Sequence, residues 1–495
     1  MALLTVKREE NQLITKGTEN SLSQCDPFII NEGEVVYSLK AGWSVNTNGI
    51  DLFSDRLGMI PLFIYQQPDL VSISDSLREL VGVITNPRID FDALAVFLRL
   101  GFFIGNDTPV YGVKVLPPAT SISITPEAFN FDLDSSYSPV AYKAFPGSRI
   151  DAIEMYDKLF RRALCERLVP GKLLLPLSGG RDSRHILLEC VDHNRPPDCV
   201  VTSKKAALSG LEDVEVASLL CEMFNLKQVV TEYDSSRLFA DEVIKNEMTH
   251  HLSDEHGWYL SVLEILKQEG ADLLLDGIGG DVLSNGLFFD QELLHAFHDK
   301  DLSRAAEIVI GSRGELPYLT SELRHELCWD RAAAHVKEEL TRHRDSLNPI
   351  RSFYFWNRTR REISLSPICM AAQVTDAGMP YLAPELVDFF FSLPVDCYGP
   401  PGFHDEVIAY RYAQSCTVRY EKSLDDCHST IRFRGEWRSA VSYFSQSLPG
   451  PYTSRKYLIP RLARMALSGD YQKESWFLSR LVYLDGLEQL GISIN

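Results

Sequence analysis

Apolar positions divide the chain into three stretches with different periods. From residue 1 to about 135, short alternating runs such as EVVYSLKAGW, DLFSDRLGMIPLFIY, LVSISDS and ATSISITP are separated by turn residues, the pattern of half-buried strands. FDALAVFLRLGFF interrupts them with apolar residues at helical spacing and predicts one helix. SSYSPVAYKAFPGS, dense in Ser, Pro and Gly, reads as a linker, with Ser148 as the cap of the helix RIDAIEMYDKLFRRALCERL. Next come the apolar strand KLLLPL, a turn and the helix DSRHILLECV. DCVVTS, KQVVTEY and ADLLLDGI add strands, with LEDVEVASLLCEMF and further helix between them. Strands alternating with helices predict an α/β fold with a doubly wound parallel sheet. Beyond about residue 285 the pattern is mostly helical. Two domains are expected, 1–135 and 148–495.

Composition adds exclusions. The 495 residues suit two or three domains. A net charge of -19 argues against nucleic acid as a main partner, because phosphate binding needs a positive surface. Ten cysteines without a C-x-x-C pair read as reduced thiols and not as a zinc site. MALLTVKREENQ has no apolar run of signal-peptide length, and no stretch is long and apolar enough for a membrane span, so a cytoplasmic location is expected.

Two loops carry the chemistry. Leu177-Ser178-Gly179-Gly180-Arg181-Asp182-Ser183 follows a buried-looking strand and opens a helix. Gly179 and Gly180 let backbone N–H groups approach phosphate oxygens, and the helix N-terminus adds positive potential. Ser178 and Ser183 can donate hydrogen bonds, and Asp182 can hold the magnesium that neutralises the phosphates. No Gly-Lys-Ser/Thr is present, so this is not a Walker A loop. Asp276-Gly277-Ile278-Gly279-Gly280-Asp281 ends a second apolar strand. Taken alone, it is either a turn capped by an Asp or the other half of a magnesium–pyrophosphate pocket.

The first loop resembles the pyrophosphate-binding loop of the ATP pyrophosphatase superfamily, and the second resembles the Gly-x-Gly-Ala-Asp loop of the asparagine synthetase family. Asp55-Arg56-Leu57-Gly58-Met59-Ile60-Pro61-Leu62 is similar to the Asp-Arg-x-Gly-x-x-Pro-Leu signature of that family's glutaminase-type domain. Ser74–Leu80, Tyr111–Pro118 and Gly378–Val387 continue the family order. The resemblance implies an adenine nucleotide α-hydrolase-like synthetase domain behind a glutaminase-like β-rich domain. It implies ATP and Mg2+ as cofactors, held by Ser178, Gly179, Gly180, Asp182, Ser183, Gly277, Gly279 and Asp281, with Asp182 and Asp281 on the metal.

Three departures from the family shape the expected reaction. Glutamine-dependent members carry a nucleophilic Cys after the initiator Met, where this chain has Ala2, and about half of the usual domain is missing before Asp55. A truncated domain without glutaminase activity is therefore expected, as in β-lactam synthetases and lasso-peptide cyclases. Ile278 stands where asparagine synthetases carry Glu and β-lactam synthetases a Tyr, and it can act as neither. Arg434, in Arg432-Phe433-Arg434-Gly435, stands loosely where the family has a Lys that stabilises acyl-transfer charge. The expectation is an AMP-forming amide synthetase that joins a small-molecule or peptide carboxylate to an amine not taken from glutamine. Cyclisation of a peptide or specialised metabolite, with a partner protein delivering a peptide, is one form of it. A degenerate homologue acting as a nucleotide-binding scaffold is the alternative. Sulfur transfer to tRNA is disfavoured by the acidic charge and the missing Cys pair.

Two further stretches have competing readings. Thr249–Trp258, with His250, His251 and His256, matches no standard zinc spacing. An exposed loop is favoured there, with pocket lining next. Trp356-Asn357-Arg358-Thr359-Arg360-Arg361-Glu362 reads as a solvated basic helix face, with contact to a substrate carboxylate or partner as the minority reading.

Overall fold

The computed structural model describes residues 1–9, 12–29, 35–133, 142–204, 208–232, 234–420, 436–446, 450–468 and 475–494. The N-terminal region is β-rich, with two sheets. One has the order β2 (Gln12–Gly17), β1 (Leu3–Glu9), β7 (Leu70–Ser74), β6 (Phe63–Gln67) and β8 (Val113–Val115). The other runs β3 (Asn20–Ile29), β4 (Val35–Asn46), β5 (Gly49–Ser54) and β9 (Ser121–Ile124). Neighbouring strands in both are antiparallel. The predicted helix is Phe91–Leu100, capped by Asp90 and ended by Gly101 at φ 85°.

The linker ends on structure. Phe145 N–H donates to the Ser392 carbonyl at 2.8 Å, and Ser148 forms a full capping box with Asp151 at the start of the helix Arg149–Cys165. A five-stranded parallel sheet follows, ordered β12 (Gln228–Glu232), β11 (Cys199–Lys204), β10 (Leu173–Pro176), β13 (Leu273–Leu275) and β14 (Asp376–Gly378). Leu173, Leu174, Leu175 and Leu273–Leu275 are all buried, as expected for central strands covered on both faces. The chain runs outward from β10 to β12 and then crosses back to β13. The order therefore reverses between β10 and β13, the place in such sheets where ligands gather. β14 is absent from the sequence reading: Asp376-Ala377-Gly378 is too short to alternate, and pairing with β13 alone makes it a strand.

The two regions share one apolar core. Polar ties also cross between them. Asp55 accepts hydrogen bonds from the Leu57 and Gly58 amides at 2.8 and 3.0 Å, closing a turn that aims Arg56 at Asp388. Asp26, at φ 52°, pairs with Arg167 at 2.6 Å, and both side chains are fully buried. Asp26 also accepts the Met379 amide at 2.7 Å, at the exit of β14.

Removing the charge from Asp26 strands a buried guanidinium. Asp26→Asn keeps a residue type that tolerates the left-handed backbone, so its cost isolates the ion pair. Chemical denaturation is expected to show a loss of about 3–5 kcal/mol, far more than breaking the exposed pair Lys7–Glu9 would cost.

Candidate active site

β10 leads through Leu177–Arg181 into the helix Asp182–Asp192, and β13 leads through Asp276–Gly279 into the short helix Gly280–Ser284. The two turns, about a hundred residues apart in sequence, open onto one cavity of about 360 Å³ because β10 and β13 are neighbours. Ser178, Gly180, Asp182, Ser183, Gly277 and Asp281 line it. Gly179 and Gly279 are not among the lining residues. Gly179 donates its N–H to Asp213 at 2.7 Å. Gly279 takes φ 87°, and a Cβ there would meet Leu382 at 3.1 Å. At Gly279 the glycine serves the turn. Arg434 lies outside the described residues.

Asp182 is held more tightly than a first-turn helix residue needs. A Cβ on Gly280 would lie 2.6 Å from its Cγ and Oδ1, and one on Gly277 3.0 Å from its Cβ. Asn285 Nδ2 donates to Asp182 Oδ1 at 2.8 Å, and His404 Nδ1 stands 3.3 Å from the same oxygen. His404 is fully buried, 3.0 Å from Ser284 Oγ and 2.9 Å from His185 Nδ1. Tyr381, from the segment after β14, donates to the Asp182 carbonyl at 3.3 Å. The carboxylate is thus fixed from behind, leaving its open side to the cavity.

The electrostatics favour a bound cation. Four carboxyl groups line the cavity: Asp182, Asp213, Asp276 and Asp281. Burial, followed by the charge of Asp182, pushes Asp281 up to about 6, and Arg358 at 3.7 Å offsets this only in part. Burial pushes Asp276 up to about 6 as well. The lining Arg181 is committed to Asp405 at 3.0 Å and lies over the Tyr420 ring. Asp182, crowded against Gly280, and Asp281 across the cavity form a pair that fits a hard divalent cation. No side chain caps the helix Asp182–Asp192, so its positive end stays open for an anion. The Ser178 and Gly180 amides are held by Ser183 Oγ and Ser178 Oγ, each at 3.2 Å, and would exchange these for phosphate oxygens. Asp182 and Asp281 are the side chains that could hold a divalent cation beside that anion.

Two expectations are corrected. The run Trp356–Glu362 is not a solvated face. It lies in the π-helical stretch Phe355–Ile363, and Arg360 and Arg361 are buried. The reason is backbone carbonyls from the N-terminal region: Arg360 donates to Gly105 at 2.5 Å and Arg361 to Asp107. Arg358 turns the other way, over the Phe288 ring and toward Asp281. Nor is Thr249–Trp258 an exposed loop. Positive φ at His250, His251 and His256 folds it inward, where His251 and His256 are buried and Tyr483 donates to the His251 carbonyl at 2.9 Å. Trp258 and Tyr259 line the cavity. Ligand atoms of Glu255, His256 and Glu362 lie within 4.8 Å of one another, close enough to share an ion. That grouping depends on Glu362, a residue no sequence spacing connects to His256.

Gly280→Ala is expected to displace the Asp182 carboxylate, with a destabilisation of about 1–3 kcal/mol in thermal unfolding. Magnesium-dependent nucleotide binding, followed by calorimetry, should weaken further than the stability loss explains.

No curated protein is significantly similar to the chain. Residues 155–398 match the family model described as asparagine synthase. That span includes both turns and the carboxylates on them. Members of this family are ATP-dependent, AMP-forming ligases. The cavity between β10 and β13 lies wholly within the span that is similar to the asparagine synthase family.

Proposed function

We propose that the protein is an ATP-dependent, AMP-forming amide-bond synthetase whose amine does not come from glutamine. ATP and Mg2+ occupy the cavity, the substrate carboxylate attacks the α-phosphorus, pyrophosphate leaves, and an amine displaces AMP from the acyl-adenylate. The observation that carries this reading is the Asp182 carboxylate, wedged against Gly280 and facing Asp281 across a cavity with an uncapped helix N-terminus. The strand order supports the doubly wound arrangement in which such nucleotide sites lie at the reversal point.

Support for an amine from elsewhere comes from the β-rich region. The Ala2 amide donates to Asp75 Oδ1 at 2.7 Å. Cys25 is buried, donates to the Ala377 carbonyl, and has its thiol pKa pushed up by burial, which makes it a poor nucleophile. We read this region as a glutaminase-like domain that has lost its reaction, spanning roughly 1–135, with 148–495 as the synthetase. A peptide carboxylate and intramolecular cyclisation remain within this proposal, as does a partner protein that presents the peptide. The scaffold alternative rests on Ile278 and on the internally satisfied Ser178 and Gly180 amides.

Exchange of labelled pyrophosphate into ATP, dependent on a carboxylate, separates these readings. Asp182→Asn and Asp281→Asn are each expected to lower it at least about 100-fold with the fold retained by circular dichroism. Wild-type protein should release no glutamate from glutamine. Exchange at wild-type rates in either variant removes the magnesium assignment. Absence of exchange with every carboxylate tried favours the scaffold.

A further inference from the structure

The turn that carries Ile278 does not present that side chain to the cavity. Ile278 is 5% exposed and packs within the main apolar core. The same turn instead places Asp276 in the cavity wall. One oxygen of Asp276 makes the turn, accepting the Ile278 amide at 3.0 Å. The other receives the Tyr259 hydroxyl at 3.4 Å. Among the described residues, no cation pairs with this carboxyl, and Tyr259 and Asp182 are the ionisable neighbours that act on it. Trp258, Tyr259 and Val262 line the cavity beside it. A carboxylate that only closed a turn would need one oxygen. This one, in the cavity wall, has a second, aligned by a buried phenol that stays protonated because burial raises its pKa.

We propose that Asp276 is the proton acceptor of the amide-forming step, so that a carboxylate two residues before Ile278 does what Ile278 cannot. This rests on the amide-synthetase reading and deepens it. The amine lone pair forms the C–N bond, the C–O bond to AMP breaks, AMP leaves with that electron pair, and the proton shed by nitrogen passes to Asp276 Oδ2. Tyr259 positions the acceptor. The consequence is a preference for ordinary primary amines, which need a proton taken from them.

The test uses two nucleophiles on one acyl-adenylate. Hydroxylamine is largely unprotonated at neutral pH and needs little base; a primary alkylamine does need one. Asp276→Asn is expected to lower amide formation with the alkylamine about 100-fold, while hydroxamate formation and pyrophosphate–ATP exchange stay within about three-fold of wild type. Asp276→Glu, which keeps a carboxylate, should recover part of the amide rate. Tyr259→Phe should lower the amide rate several-fold and spare exchange, and it provides the same comparison if Asp276→Asn does not fold. Equal loss of amide, hydroxamate and exchange would overturn the proposal by making Asp276 a structural or metal-binding group. No loss of amide formation would overturn it as well. If wild-type protein itself gives neither exchange nor hydroxamate with any carboxylate, the synthetase reading fails, a result distinct from either of these.

Discussion

Asp182 shares its space with Gly280, and the site depends on that close approach. With 2.6 Å between the carboxylate and the position of a Cβ, the β13 turn can close on the helix after β10 only if residue 280 has no side chain. Closure brings Asp281 into the same cavity and places Asn285 and His404 behind the carboxylate. Burial, and then the charge of Asp182, push the Asp281 carboxyl upward. A divalent cation held between these carboxylates would relieve that repulsion.

The rest of the molecule braces this contact. Tyr381, which touches the Asp182 carbonyl, follows β14, and Asp26 of the β-rich region holds the Met379 amide just before it. Arg360 and Arg361 clasp the carbonyls of Gly105 and Asp107 from a helix whose Arg358 reaches Asp281. The β-rich region therefore has a physical role that requires no reaction of its own. It anchors two segments that touch the cavity carboxylates' residues, Tyr381 at Asp182 and Arg358 at Asp281.

The strand and helix pattern around both glycine turns was legible because buried parallel strands are continuous apolar runs and the turns need Gly for close approach. Ser148 was legible as a cap for the same local reason. What escaped the sequence was set by distant partners. β14 is a strand only because β13 lies beside it. The arginines at 360 and 361 look like a solvated face until carbonyls from residues 105 and 107 desolvate them. Asp276 looks like a turn cap, and it is one, but the cavity behind its second oxygen is made by Tyr259 on another element. A linear pattern reports a residue's own environment poorly when that environment comes from another element of the fold.

The central claim is that a carboxylate oxygen attacks the α-phosphorus of ATP. The most direct measurement supplies a carboxylate labelled with oxygen-18, to which the protein responds in pyrophosphate exchange, and follows the label by mass spectrometry after amide formation. Attack at the α-phosphorus followed by displacement of AMP leaves one labelled oxygen in AMP. Label in inorganic phosphate, or AMP formed without label, would contradict the account.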